Sequence, residues 1–301
     1  MRAVRSARYG LVLLRKPEGV TSFRALGPVK RRLELKKIGH AGTLDRFAGG
    51  LLVALCGSYS RLAGFVQSGA KLYRASACFG AETDMLDPEG AVIAEAAPPS
   101  RESLLNVLPL FTGDIMQAPP AYSALHVNGV RAYELAAAGY NLEMKKRPVR
   151  VHSLKLISYE GSTAVFEISC SSGTYIRSLA RDIALACGSR AHLTALERLA
   201  IGPYRLQDAV RPEDFDPDRD LRPFSQADAA GLGLGVAVVP KSCAERFRTG
   251  SKLRAEDLRK PGPAGGAADT AVFGEDDSFL GIVHIDAQAL RYRFVVADQG
   301  K

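Results

Sequence analysis

Asp45 stands alone among cations. It is the single acid in the glycine-rich stretch Gly39–Leu52 (GHAGTLDRFAGGLL), and Lys30, Arg31, Arg32, Lys36 and Lys37 crowd the chain just upstream. A carboxylate in such surroundings favours its ionised form, and an ionised, aimed carboxylate is a competent nucleophile or proton acceptor. Out of context, an Asp in a Gly-rich loop more often accepts N–H groups of its own turn. Two further stretches hold side chains able to work with it. In KLYR (71–74), Tyr73 brings a ring that can face a nucleobase and a hydroxyl that donates or accepts. Alone, it would read as a strand residue of the core. In CSSGTYIRSLARDIA (170–184), a Gly-Thr turn opens a helix that carries Arg177.

These stretches share their order with Lys16-Pro17-x-Gly19-x-Thr21-Ser22, Thr83-Asp84, Tyr122–Leu125 and Arg198-Leu199. Together they resemble the TruB family of pseudouridine synthases over residues 10–210, whose loop reads close to G-H-x-G-T-L-D-P-x-A-x-G-L-L. The resemblance implies that Asp45 is the catalytic carboxylate, attacking the ribose or assisting a glycal route. It implies that Tyr73 stacks on the target uracil and takes part in proton transfer. Arg177 then pairs with Asp45, orienting it by two hydrogen bonds, with Gly173 and Thr174 setting the turn and capping its helix. His40 contacts the RNA and holds the flipped nucleotide, and Gly42 and Thr43 bind substrate beside it. Lys16 shapes the cleft and is counted with the substrate-binding residues. Leu199 lines the uracil pocket. The implied substrate is the T-loop uridine of tRNA at position 55, and no metal or organic cofactor is required. Arg46 stands where the family has Pro, which adds a cation and frees φ. A second function class is a non-catalytic tRNA-binding folding factor. Such a binder has no need for Asp45, Tyr73 and Arg177 together.

Composition agrees with a polyanionic partner. The 301 residues carry a formal net charge of +8, and 47% are hydrophobic. Residues 1–50 concentrate the excess, with Arg2, Arg5, Arg8, Arg15, Lys16 and Arg24 adding to the cluster above. The five cysteines (Cys56, Cys78, Cys170, Cys187, Cys243) form no CxxC pair and sit among apolar residues, which reads as buried thiols in a cytoplasmic setting. The histidines show no metal-ligand spacing. The apolar run Leu11–Leu14 is too short for a signal peptide, and no stretch is long enough to span a membrane.

The elements that must position these groups follow from periodicity. Leu11–Leu14 reads as a strand. A helix from Thr21 or Ser22 to Glu34 would place Phe23, Leu26, Val29 and Leu33 on one stripe. Leu51–Leu55 and Ser58–Gln67 read as helices, Lys71–Gly80 as a strand, and TDMLDPEG (83–90) as a hairpin turn. A short helix fits Arg101–Leu108. The stretch at about 120–150 has two prolines, an Asn128-Gly129 turn, a helix near Tyr133–Ala138 and the cations Lys145, Lys146, Arg147 and Arg150. It reads as an RNA-binding insertion. Paired strands follow over 150–172, then the Arg177 helix, on which Asp182 pairs structurally with a nearby cation. HLTALERLAIGPY (192–204) suggests a short helix and a strand. The acidic Arg211–Phe224 reads as a linker.

After Gly231 the chain becomes Gly-punctuated and strand-rich, with a loop at Lys260–Gly266. FRTGSKLR, FGEDDSFLGIVHID and ALRYRFVV resemble a PUA domain. The expected architecture is α+β. It comprises a pseudouridine synthase core over 1–228, with a mixed, mostly antiparallel sheet flanked by helices, and a β-rich PUA-like unit over 231–301. The expected form is a monomer.

Overall fold

The computed structural model describes residues 9–123, 125–127, 129–140, 142, 144–251, 253, 257–259, 268–286 and 290–296. Arg2, Arg5, Arg8, Ala124, Asn128, Lys252, Arg254 and the Lys260–Gly266 loop lie outside them. The chain opens with β1 (Gly10–Lys16), α1 (Ser22–Ala25), α2 (Gly27–Arg32), β2 (Ile38–Ala41) and β3 (Gly49–Cys56). A 3-10 turn leads into α3 (Ala63–Ser68) and β4 (Lys71–Phe79), and β5 (Ala81–Thr83) and β6 (Val92–Glu95) form the expected hairpin. Next come α4 (Arg101–Val107), β7 (Gly113–Gln117), the small hairpin β8 (His126–Val127) and β9 (Val130–Arg131), and α5 (Ala132–Ala137). Then β10 (Arg147–Glu160), β11 (Thr163–Cys170), α6 (Ile176–Ala186), β12 (Ala191–Ile201) and β13 (Tyr204–Arg205) complete the core. The rest is α7 (Pro217–Asp220), α8 (Gln226–Gly231), β14 (Gly235–Val239), α9 (Lys241–Arg248), β15 (Ala268–Gly274), β16 (Phe279–Ile285) and β17 (Leu290–Val295).

A nine-stranded sheet dominates, in the order β1-β3-β12-β4-β11-β10-β7, with β2 added to β3 and β13 to β12. It is mixed but mostly antiparallel: the parallel contact is β12 on β3, where Glu197 faces Gly49 and Arg198 faces Gly50. Here a side chain is excluded. Gly50 has φ +102°, and a Cβ there would lie 2.4–3.0 Å from backbone atoms of Arg198.

Leu51–Leu55 is a strand and not a helix. All eight residues of β3 are buried. Leu51, Val53 and Leu55 pack into one cluster with Leu11 and Leu62, while Leu52, Ala54 and Cys56 pack into another with Val12 and Val29. A strand covered on both faces loses its alternation, so its apolar run looks like a helix segment. Residues 192–199 are also strand throughout, and bulges in the β12–β4 register at 193/195 and 198/200 mask the period-two pattern.

The helix after Thr21 breaks in two at Leu26. Thr21 does cap α1, accepting from the amide of Arg24, but Pro28 belongs at the start of a helix and opens α2. Phe23 is exposed rather than part of an apolar stripe. The acidic segment 211–224 is not a free linker: Leu11 and Arg222 exchange backbone hydrogen bonds, and Phe215 and Phe224 are fully buried. Cys78 and Cys187 are only partly buried, and the other three cysteines are buried.

In the C-terminal unit β14 runs parallel to β15, and β15, β16 and β17 are antiparallel. Its rings meet the core directly. Phe279 packs edge-on to Tyr59 at 5.7 Å and against Phe224 at 4.8 Å, and Phe294 lies 6.4 Å from Phe65.

Candidate active site

Asp45 lies in the 42–48 loop that joins β2 to β3. Ser22 pins the loop by giving its hydroxyl to Leu44 O (3.1 Å) and accepting from Leu44 N (2.9 Å). Lys16, 1% exposed, pins it from beneath: its Nζ donates to Ala48 O and Val20 O at 2.6 Å, to Pro17 O at 2.9 Å and to Arg46 O at 3.4 Å. Burial pulls its pKa down to about 8, although Asp45 pulls it up. Lys16 therefore braces the loop and does not face the cavity described below. Arg46, in place of the family Pro, restores a fixed path by its own bonds. Its Nε donates to Gly19 O at 3.1 Å, its carbonyl accepts from Gly19 N at 2.9 Å, and Glu89 stands 3.6 Å away.

Arg177 reaches Asp45 from the first turn of α6. The turn before it uses Gly173 at φ +84°. Thr174 does not cap the helix; its hydroxyl donates back to Ser171 O. Tyr175 is the N-cap residue, and the amide of Gln117 brackets its backbone at 2.8 and 3.0 Å. The Arg177 side chain is 5% exposed and is shared between two acids. Nε lies 3.0 Å from Asp45 Oδ2 as an ion contact, without the alignment of a hydrogen bond. Nη1 donates to Asp87 Oδ2 (3.1 Å) and Met85 O (2.6 Å), and Nη2 to Tyr122 O (3.0 Å). The expected pair of hydrogen bonds to Asp45 is thus divided, with Asp87 taking the aligned one. Asp87 is held in turn by Glu89 N and by the Thr83 hydroxyl on its own backbone. Burial raises the Asp87 pKa more than Arg177 lowers it. Asp45 keeps 41% of its side chain open.

That open face looks into a cavity of about 320 Å³. Gly42, Thr43, Asp45, Tyr73 and Arg177 line it together. The volume suits one small ligand group, such as a single nucleoside. Tyr73 is 8% exposed and sits opposite Arg198 in the β4–β12 register. Burial pushes its hydroxyl pKa up, and the Arg198 charge opposes that push. Lys71, Leu196, Gln67, Tyr175 and Arg198 belong to the part of the wall that sequence reasoning missed. Lys71 was visible two residues before Tyr73 in KLYR, and Asp87 in the acidic turn.

His40 and Leu199 are not in this wall. His40 lies on β2 opposite Ala54, with Nδ1 buried and unpartnered, and burial followed by the Arg198 charge lowers its pKa. Leu199 packs on the opposite side of the sheet, in the cluster of Leu11 and Leu62. Leu196 and Arg198, two residues apart on β12, face the cavity instead. Asp182 pairs with neighbouring Arg181 at 2.8 Å, as expected.

Residues 30–176 match the family model described as TruB family pseudouridylate synthase (N terminal domain). The chain is 43% identical over 209 residues to the tRNA pseudouridine synthase B of Borreliella burgdorferi (strain ZS7), covering 68% of this chain and 74% of that one. It is 34% identical to that of Gluconobacter oxydans (strain 621H), over 94% of this chain and 89% of that one. In structure it resembles a chain of an H/ACA RNP bound to a substrate RNA containing 2′-deoxyuridine. The TM-score is 0.75 at 20% identity, covering 98% of this chain and 87% of that one, and this likeness bears on the fold alone.

Proposed function

Because the chain belongs to the TruB family of pseudouridylate synthases, we propose that it converts a uridine of tRNA to pseudouridine, at the T-loop uridine of position 55. One observation carries the site assignment. Asp45, Tyr73 and Arg177, which lie far apart in sequence, line a single cavity. In this reading Asp45 acts at the ribose, by either of the routes named above. Arg177, fixed by Asp87, aims it. Tyr73 offers its face to the uracil and its hydroxyl to the moving proton. The C1′–N1 bond breaks, the base turns, the C1′–C5 bond forms, the C5 proton leaves to water and N1 gains one. Thr43 and Gly42 border the bound nucleoside. Lys16 acts one step back, by holding the loop.

Extracting the uridine costs a few kcal/mol. Phosphate contacts offset this, and cations are placed to make them. Arg24, Arg31, Lys36 and Lys37 are exposed near α1 and α2, as are Lys145, Lys146 and Arg150 at the end of the insertion. Residues 231–301, as a PUA-like unit beside a catalytic unit of 1–228, would extend that surface. The protein would work in the cytoplasm as a monomer; no helix among the described residues is long and apolar enough to cross a membrane.

The test is tritium release from tRNA labelled at uridine C5, with wild type and Asp45→Asn side by side. Release by wild type alone, mapped to one T-loop uridine, is expected. Tight tRNA binding with no release by either protein would overturn the enzyme reading in favour of a folding factor.

A further inference from the structure

The cavity has two cationic sides of different character. Arg177 is matched by Asp45 and Asp87. Arg198 is not matched. It is 1% exposed, among the largest fully buried side chains, and makes no ion pair among the described residues. Its Nε donates to Leu51 O and one Nη to Gly42 O, both at 2.9 Å. Those bonds tie β12 to β3 and to the start of the Asp45 loop, and a neutral donor could make them. A guanidinium is always charged, and a charge taken out of water without a counter-ion is unfavourable. Among the described residues Lys71, in the same wall, is likewise held by carbonyls, those of Gln67 and Gly69.

The proposed reaction moves negative charge. Before it begins, the charge is on the Asp45 carboxylate, beside Arg177. When the C1′–N1 bond opens, its electron pair leaves with the base, which becomes a uracil anion. Asp45 is neutralised at the same time, as an ester to C1′ or by taking a ribose proton. On either route one unit of charge crosses the cavity, away from Arg177.

We propose that Arg198 is a catalytic residue that receives this charge: its buried guanidinium is the counter-ion of the detached uracil. The inference rests on the reading of the site as a pseudouridine synthase. A preorganised cation aimed at charge that develops only during reaction is among the larger contributors to catalysis, and removing one donor of this kind slows reactions about 100- to 1000-fold.

The test is single-turnover conversion of tRNA carrying either uridine or 5-fluorouridine at the target, read by digestion to nucleosides as loss of the N-linked form. The fluorinated base is a weaker base and a better leaving group. Arg198→Met is expected to slow uridine conversion about 100-fold with tRNA affinity unchanged. Its deficit on 5-fluorouridine should be roughly tenfold smaller, because a better leaving group depends less on an external cation. Arg198→Lys keeps a cation at a shorter reach, so a smaller deficit with the same compression is expected; it stands as the test variant if the melting curve shows that Arg198→Met does not fold. Equal deficits on both bases, or no deficit, in a folded variant would overturn the proposal. Wild type runs in parallel: if it converts neither RNA, the reading of the site fails instead.

Discussion

Two polar clusters in this molecule share a plan, one side chain held between two partners. In the active site one cation, Arg177, lies between Asp45 and Asp87 at 3.0 and 3.1 Å. In the C-terminal unit one acid, Asp269, lies between His284 and Arg293 at 2.8 and 2.9 Å. The distances hardly differ. The surroundings do: the Arg177 and Asp87 side chains are 5% and 7% exposed, whereas Arg293 is 52% exposed. Burial raises the pKa of Asp87 despite its partner. At Asp269 hydrogen bonds from Arg293 and His284 outweigh burial and lower it. Contact distance therefore says little about what a pair does. A pair sheltered from water fixes a conformation and fails badly when halved, while a wet one can be edited.

Mutation can break or sharpen this contrast. The largest effect is expected from Asp45→Asn, which should reduce tritium release by about 1000-fold or more with tRNA still bound in a filter assay. Arg177→Met comes next. It strands Asp87 in the interior, so unfolding by denaturant should show a loss of about 3–5 kcal/mol along with a large fall in kcat. Adding Asp87→Asn should recover part of that stability but none of the activity; simple additivity in the cycle would mean the buried pair is no more coupled than a wet one.

A smaller effect is expected from pH. Lys16 and Lys71 titrate near 8, far below the ordinary 10.5, chiefly because they are buried. Between those values the unfolded chain binds more protons than the folded one, so their contribution to stability rises with pH. Catalysis should go the other way, since a neutral Lys16 has one hydrogen fewer for the loop carbonyls. A wild-type rate that falls through about pH 8, absent from a uniformly slower Lys16→Met, is the expected profile; matching profiles would remove Lys16 from the explanation. The smallest effect belongs to Asp269→Asn, worth less than about 1 kcal/mol with turnover unchanged. A loss there as large as at Arg177 would dissolve the comparison.

Much of the site was legible because its parts are local. The Gly39–Leu52 loop, KLYR and the Arg177 turn each hold their chemistry within a few residues. What stayed hidden depends on which way a side chain turns. Leu199 and Leu196 are both apolar residues of one segment, and the bulge at 198/200 in the β12–β4 register obscures the facing. Asp87 looks like any acid in a turn until Arg177 arrives from the far side of the sheet. Lys16 looks like a surface cation, yet it is buried under four carbonyls. β3 and the first part of β12 read as helical because neither shows the clean alternation of a half-buried strand.

The position of β12 has a consequence for how the protein is made. β3 and β4 are neighbours in sequence but not in the sheet; the strand that separates them is synthesised more than a hundred residues later. Until residues 191–201 leave the ribosome, the Asp45 loop and the Tyr73 strand each border an unfilled edge, and such edges invite wrong partners. A nascent chain halted before that point would hold both groups with no wall between them. The site is closed by late insertion of one strand, with Arg198 arriving as the last piece of the cavity wall.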